Sequence, residues 1–423
     1  MGTRNRPVDW DRRTVLRGLG VGAVGLAGCL GEDGEGEGES SLSVTGVWTG
    51  GEEEDFMAVV DHVENETDLE IQYEPRDTEA ILTGTLMDYE SGVATADVVV
   101  MPSPARIRSD GDAGHLAPLG DSWDPDRFAP DPEQVMVDDE VYAAPFKMDL
   151  KPGFWYRQSF FDEHDLSEPR GYDEFLDLLD RIDGIDGVDA PLASGNGDGW
   201  PLSDVTEAFL LQQDDGAQLQ RDLIAGEAAF TDDRVVSALE RVQELLQQGY
   251  FSDVRDFGVQ YEYFWDNQLP LYFMGSWTPG FEAIGDPADL DVFMLPETDA
   301  MVASVNWFTV PEYSDRRDEA RTAVEGFVSA DGQQVWAERG GFIASNLDVP
   351  DDAYELDVMR DLSAMADEVE LVPDLDDALG DPFQSEFWSQ LTGLWADPDS
   401  DVESMSERLD DVLQETAGND GGE

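Results

Sequence analysis

Apolar and polar residues along this chain alternate between two periods. Residues 42–48, Leu-Ser-Val-Thr-Gly-Val-Trp, read as a first strand. After the acidic stretch Glu52 to Asp55, the apolar residues Phe56, Val59, Val60 and Val63 recur at helical spacing, and acids in a first turn suit the positive end of a helix. Leu69 to Glu74 reads as a second strand, Ile81, Leu82 and Leu86 mark a second helix, and Asp97 to Met101 is a buried strand stopped by Pro102. Strands alternating with helices predict parallel βαβ units with right-handed crossovers. Farther on, residues 141–157 look extended, and 290–295 and 304–310 read as strands. Helices are expected over 172–182, 204–213, 232–248 (closed by Gly249), 316–329, 381–395 with Pro382 in its first turn, and 402–413. No internal repeat is present.

Before the first strand the pattern changes. Asp11-Arg12-Arg13-Thr14-Val15-Leu16-Arg17 leads into a short apolar run ending Leu26-Ala27-Gly28-Cys29. A basic start, a brief apolar core and small residues at the break make an export signal, too short to span a bilayer. Arg12 and Arg13 resemble the twin-arginine type, which exports proteins already folded. Leu26 to Cys29 resembles a lipobox, in which Cys29 becomes the lipidated first residue of the mature chain. Residues 1–28 are then the signal and 29–41 an acidic Gly/Glu tether. The expected location is the extracellular face of the membrane, held there by lipid on Cys29. Asn65-Glu66-Thr67 matches a glycosylation acceptor, which fits an exterior location.

Charge sharpens this picture. The 423 residues carry 96 acids against 24 bases, a formal net charge of -72, while hydrophobic residues remain 41% of the chain. Such a surface repels nucleic acid and anionic lipid. Molar salt shortens the screening length to about 3 Å, so the acidity reads as salt adaptation, as in haloarchaeal secreted proteins. The single cysteine forbids an internal disulfide, and His62, His115 and His164 match no metal-ligand spacing. Gly20-x-Gly22-x-x-Gly25 matches a dinucleotide fingerprint only formally, because it lies inside the export signal with no strand before it. No nucleophile, zinc-protease or phosphate-loop motif is present, so neither a cofactor nor a metal is expected. Paired carboxylates for glycoside hydrolysis carry no information among 96 acids.

Two residue types stand out as candidate chemistry. Every base except Lys147 and Lys151 is arginine, and both lysines fall in Ala144-Pro145-Phe146-Lys147-Met148-Asp149-Leu150-Lys151. In a strand, 147, 149 and 151 share one face, a Lys-Asp-Lys row that serves either a structural ion pair or a ligand. Tryptophan is the second signal. Trp48 ends the first strand, Trp200 sits in the glycine-rich stretch 195–201, Trp277 follows Gly275-Ser276, and Trp388 follows Phe387 on a late helix. Indoles in glycine-rich loops at strand ends suit ligand contact, and sugar rings offer apolar C–H faces to stack on them. Trp277 and Trp388 are expected to touch ligand; Trp48 and Trp200 suit packing equally well.

The order of these segments resembles the extracellular solute-binding proteins of ABC importers, in the family that carries sugars. The carrying pieces are residues 46–52, 96–104, 142–147 leading to Trp155-Tyr156, Gly275-Ser276-Trp277, 337–342 with Asn346, and Phe387-Trp388. Residues 147–156 and Gly199-Trp200-Pro201 look most like the α-glucoside-binding branch. The resemblance implies an α/β, two-lobe periplasmic-binding-protein-like fold of type II, with hinge crossovers near 147–150, 296–303 and 340–343. Lobe 1 would comprise 42–147 plus 303–340, lobe 2 148–302 plus 341–416, and 417–423 a disordered tail. Trp277 and Trp388 would stack on a pyranose, Asp149 and Glu53 would accept hydroxyl protons, and Ser103, Lys147 and Asn306 would line the cleft. The chain departs from the family pattern at Ala303-Ser304-Val305-Asn306-Trp307, where a glycine-rich run is usual, and Trp307 is expected to fill that space. The implied partners are a small sugar and ABC permease subunits, with the protein acting as a monomer and not as an enzyme. An anionic metabolite, a peptide or a polyamine as cargo, or a secreted carbohydrate-active enzyme, are the alternatives.

Overall fold

A computed structural model of the chain describes residues 41–419. The export signal with Arg12, Arg13 and Cys29, residues 29–40 of the tether, and residues 420–423 lie outside the described residues. Among the described residues no helix is long and apolar enough to cross a membrane.

In chain order the strands are β1 Leu42–Gly46, β2 Ile71–Pro75, β3 Val98–Met101, β4 Met136–Val137, β5 Glu140–Val141, β6 Ala144–Lys151, β7 Gly153–Arg157, β8 Leu192–Ala193, β9 Leu271–Met274, β10 Leu290–Phe293, β11 Ala300–Thr309, β12 Ile343–Ala344 and β13 Glu370–Pro373. The larger sheet runs β2-β1-β3-β11-β6-β12, with β13 paired to β11; the smaller runs β8-β9-β7-β10. β1 pairs in parallel with both β2 and β3, as the alternation of strands and helices predicts. β11 returns antiparallel between β3 and β6. The chain therefore leaves the first lobe along β6, builds the smaller sheet, and re-enters along β11. That insertion of a late strand beside β3 gives the type II arrangement.

Each sheet has its own aromatic packing. Trp48, Phe56, Phe146 and Trp336 are fully buried and pack ring on ring, Trp48 lying 4.7 Å from Phe56 and 5.1 Å from Trp336 between centroids. Trp48 is thus a core residue of the first lobe and not a ligand contact. The apolar residues that follow it on helix Gly51–Thr67 require a large partner on the sheet, and Trp48 fills that role. Trp307, a candidate ligand contact expected also to fill the space beside β6, does the second and not the first. A bulge in β11 falls between Asn306 and Trp307, and the indole is fully buried beside Trp123 at 6.5 Å. In the smaller sheet Phe154 and Tyr156 enter one core while Trp155 between them enters the other, the period of two that a strand covered on both faces requires.

The element boundaries shift modestly. The expected helix 204–213 begins earlier, at Trp200–Leu211, with Pro201 in its first turn. The helix expected from 381 runs Phe383–Ala396, and the last runs Val402–Asn419, so residues 417–419 are helical. β12 pairs with β6, and Asn346 bridges to Phe128, so the segment after residue 340 first packs against the sheet of lobe 1, where lobe 2 is expected.

Candidate functional site

The site grows from β6, whose whole length is buried. Lys147 Nζ lies 2.6 Å from Glu52 Oε1 and 2.9 Å from Asp149 Oδ1. Asn306, on β11 directly opposite Lys147, donates its amide N–H to Asp149 Oδ2. Lys151 turns instead to the second lobe, where its ammonium lies 2.9 Å from both oxygens of Asp204, with Asp374 at 3.9 Å. The row read from the sequence is real, but its members look outward to acids on other elements more than to one another.

Trp277 spans this row. Its loop is tied to β6 by Ser276, whose amide donates to the Leu150 carbonyl at 2.9 Å and whose hydroxyl accepts from the Leu150 N–H at 3.2 Å. The indole lies within 5.8 Å of Lys147 Nζ and 4.7 Å of Lys151 Nζ, at cation–π range of both. Gly275 makes this pose possible, because a Cβ there would sit 2.0 Å from Trp277 Cζ3. Gly275→Ala should therefore swing the ring out of place. The expected result is a shifted tryptophan emission maximum and ligand affinity weakened about tenfold in a fluorescence titration, with the protein still folded.

Trp200 is brought to the same place, 5.9 Å from Trp277 between centroids and 5.5 Å below Lys151 Nζ. Trp388 joins from helix Phe383–Ala396. A Cβ on Gly199 would meet Trp388 Cβ at 2.7 Å, and its indole N–H donates to Asp376 Oδ2. Trp200, Trp277 and Trp388 are all half-buried, and Trp200 and Trp277 pack one side against the core of the larger sheet. Where the lobes meet, glycine permits the approach: a Cβ on Gly51 would lie 2.8 Å from the Gly280 carbonyl oxygen, and one on Gly341 would lie 3.1 Å from Gly280 Cα.

The remaining expectations fare differently. Ser103 is buried, and its hydroxyl is already engaged, accepting from the Arg106 N–H and donating to the Asp377 carbonyl, each at 3.3 Å. It caps helix Pro104–Asp112 and is corrected from a cleft residue to a structural one. On helix Gly51–Thr67 it is Glu52, not the half-buried Glu53, that reaches Lys147. One position along a helix turns a side chain by about 100°, so a family motif alone does not choose between the two. Asp204, Glu207, Asp374 and Asp376 were not singled out in the sequence, since nothing separates them from the other acids. Asn65 is exposed in the last turns of its helix.

Electrostatics follow from crowding. Burial pulls Lys147 down, but Asp149 and Glu52 together hold it above the usual lysine range. Lys151 is likewise raised against burial by Asp204 and Asp374. The acids bear the cost: burial pushes Glu52 up, offset only in part by Lys147, and burial with the Asp374 charge pushes Asp204 up to about 6 despite Lys151. Both ammonium groups are therefore charged and already neutralised. A separate hollow of about 530 Å³, bordered by Gln212, Asp214, Arg221, Glu297 and Glu370, contains none of the indoles.

The fold is α/β, two-lobed and of type II, and three of its indoles, Trp200, Trp277 and Trp388, are half-buried. The chain belongs to the bacterial extracellular solute-binding proteins, whose family profile matches residues 49–334. It is 38% identical over 378 residues to an uncharacterised ABC transporter extracellular-binding protein, PH1039, of Pyrococcus horikoshii, covering 88% of this chain and 87% of that one. It is 25% identical over 344 residues to the alpha-glucosides-binding periplasmic protein AglE of Rhizobium meliloti, covering 74% of each. Among solved structures, the bacterial solute receptor AcbH, described as having an exclusive preference for β-D-galactopyranose, superimposes with a TM-score of 0.80 at 17% identity, covering 88% of this chain and 97% of that one. The protein is thus an extracellular solute-binding component of an ABC transporter and not an enzyme.

Proposed function

We propose that the protein captures a neutral sugar or oligosaccharide, of the α-glucoside class, and delivers it as a monomer to an ABC permease. The observation that carries this reading is the meeting of Trp200 and Trp277 over a polar strand, with Trp388 beside Gly199. Indole faces suit the C–H faces of pyranose rings, while Asp149, Glu52 and Asn306 offer hydroxyl partners. Neutral cargo follows from the ion pairs. Each lysine already faces carboxylates, so an anionic sugar would gain no free cation and would meet surplus negative charge. Sugar touching both lobes would favour their closure by its differential affinity for the closed state. The likeness to AglE and the segments 147–156 and 199–201 support the α-glucoside class. Lobe 1 in this reading comprises 42–147 and the return from 303, extended past residue 340 by the pairing of β12 with β6. In this reading, lipid on Cys29 tethers the protein after twin-arginine export, Asn65 is open to glycosylation, and the acidic surface suits molar salt.

The surplus of carboxylates favours one rival cargo, a polyamine. Mass spectrometry of the ligand extracted from protein purified without dialysis decides between them. A neutral oligosaccharide is expected; a polyamine or an acidic metabolite would overturn the reading.

A further inference from the structure

Beside the cleft lies a group of acids that the sugar reading does not use. Glu207 on helix Trp200–Leu211, together with Asp374 and Asp376 around helix Leu375–Leu379, offers three carboxylate oxygens within 4.8 Å of one another. All three residues are buried, Glu207 completely. We propose that these three carboxylates hold a divalent cation, with calcium the occupant.

The geometry suits the ion. Calcium–oxygen distances of about 2.3–2.6 Å place any two oxygens on one ion at most about 5 Å apart, and these oxygens meet that limit. An all-oxygen donor set selects a hard cation over zinc or copper. A second observation concerns hydrogen bonding. Glu207 Oε2 accepts from the Leu375 N–H at 2.9 Å and from Gln220 Nε2 at 2.6 Å, whereas Glu207 Oε1 is buried with no hydrogen-bond partner. Gln220, also fully buried, donates Nε2 to Glu207 and to the Pro373 carbonyl at 2.9 Å, which leaves its own Oε1 without a partner. Buried carboxylate oxygens are seldom left this way, and a cation satisfies the one on Glu207 directly. Charge balance agrees. Asp204, Glu207, Asp374 and Asp376 are buried together, and Lys151 pairs with Asp204 while standing 3.9 Å from Asp374.

The site has a structural consequence. Asp376 Oδ2 accepts from Ser203 Oγ at 2.9 Å and from the Trp388 indole N–H. An ion on Asp376 therefore fixes helix Trp200–Leu211 and the indole of Trp388 in one frame. The inference stands without the sugar, and its test contains none.

Protein stripped with chelator is titrated with terbium in molar potassium chloride, which suppresses binding to surface acids. Trp388 beside Asp376 sensitises the lanthanide emission. The expected result is a saturable, single-site signal displaced by calcium and lost in Glu207→Gln, with calcium raising the thermal midpoint of the unmodified protein only. A signal absent, or unchanged in Glu207→Gln, overturns the proposal. Should that variant fail to fold, a terbium-soaked crystal of the unmodified protein decides. An anomalous peak among the three carboxylates supports the site, and its absence refutes it.

Discussion

Replacing Trp277 by Ala is expected to weaken sugar binding about 100-fold or more, the largest single loss of affinity in the cleft. The indole is half-buried, touches Trp200 at 5.9 Å between centroids, and lies over both Lys147 and Lys151. Truncation removes the stacking face and the apolar area behind it, together about 3 kcal/mol, and 1.4 kcal/mol is tenfold in affinity. Trp277→Phe keeps an aromatic face and should retain part of the binding. Calorimetric titration of both variants, with near-ultraviolet dichroism to confirm folding, separates loss of the stack from loss of the fold. An unchanged dissociation constant for Trp277→Ala would remove that ring from the site.

Lys151→Met should produce the largest loss of stability, about 3–5 kcal/mol, because it strands Asp204 in the interior. Asp204 is 2% exposed, and both of its oxygens lie 2.9 Å from the ammonium. The sign with pH is fixed. Asp204 is already raised to about 6 from its ordinary value, and removing Lys151 raises it further. The penalty is then full above that raised value and shrinks as pH falls and the carboxyl protonates. Denaturant midpoints at pH 8 and pH 5 should differ more for the variant than for the unmodified protein. Pairing the change with Asp204→Asn should recover much of the loss, since the stranded charge is gone. A Lys151→Met protein as stable at pH 8 as its parent would show that the pair contributes nothing.

The fold was legible because its first elements repeat cleanly. Phe56, Val59, Val60 and Val63 are all buried on one face of helix Gly51–Thr67, and β1, β2 and β3 pair in parallel as their order requires. The pairing of Trp277 with Lys147 and Lys151 was half legible. Rarity of lysine marked the strand, and glycine before tryptophan marked the loop, but nothing local shows that Ser276 ties the two together through Leu150. Trp48 and Trp307 stayed open between packing and ligand contact for the opposite reason. An indole at a strand end looks the same from sequence whether the next layer is solvent or Phe56 and Trp336, and only tertiary packing decides. Glu52 against Glu53 is a matter of helical phase. Asp204, Glu207, Asp374 and Asp376 were invisible among 96 acids, and only the folded chain shows them buried side by side.

Everything proposed for the cargo turns on a neutral sugar held between the lobes by Trp277 and its neighbours. Titration calorimetry in molar potassium chloride against maltose, maltotriose, trehalose, sucrose, a uronic acid and spermidine tests it most directly. Heat is expected from at least one neutral sugar, lost in Trp277→Ala, and none from the acid or the amine. Heat from the acid or the amine alone, or sugar binding that survives Trp277→Ala undiminished, would contradict it.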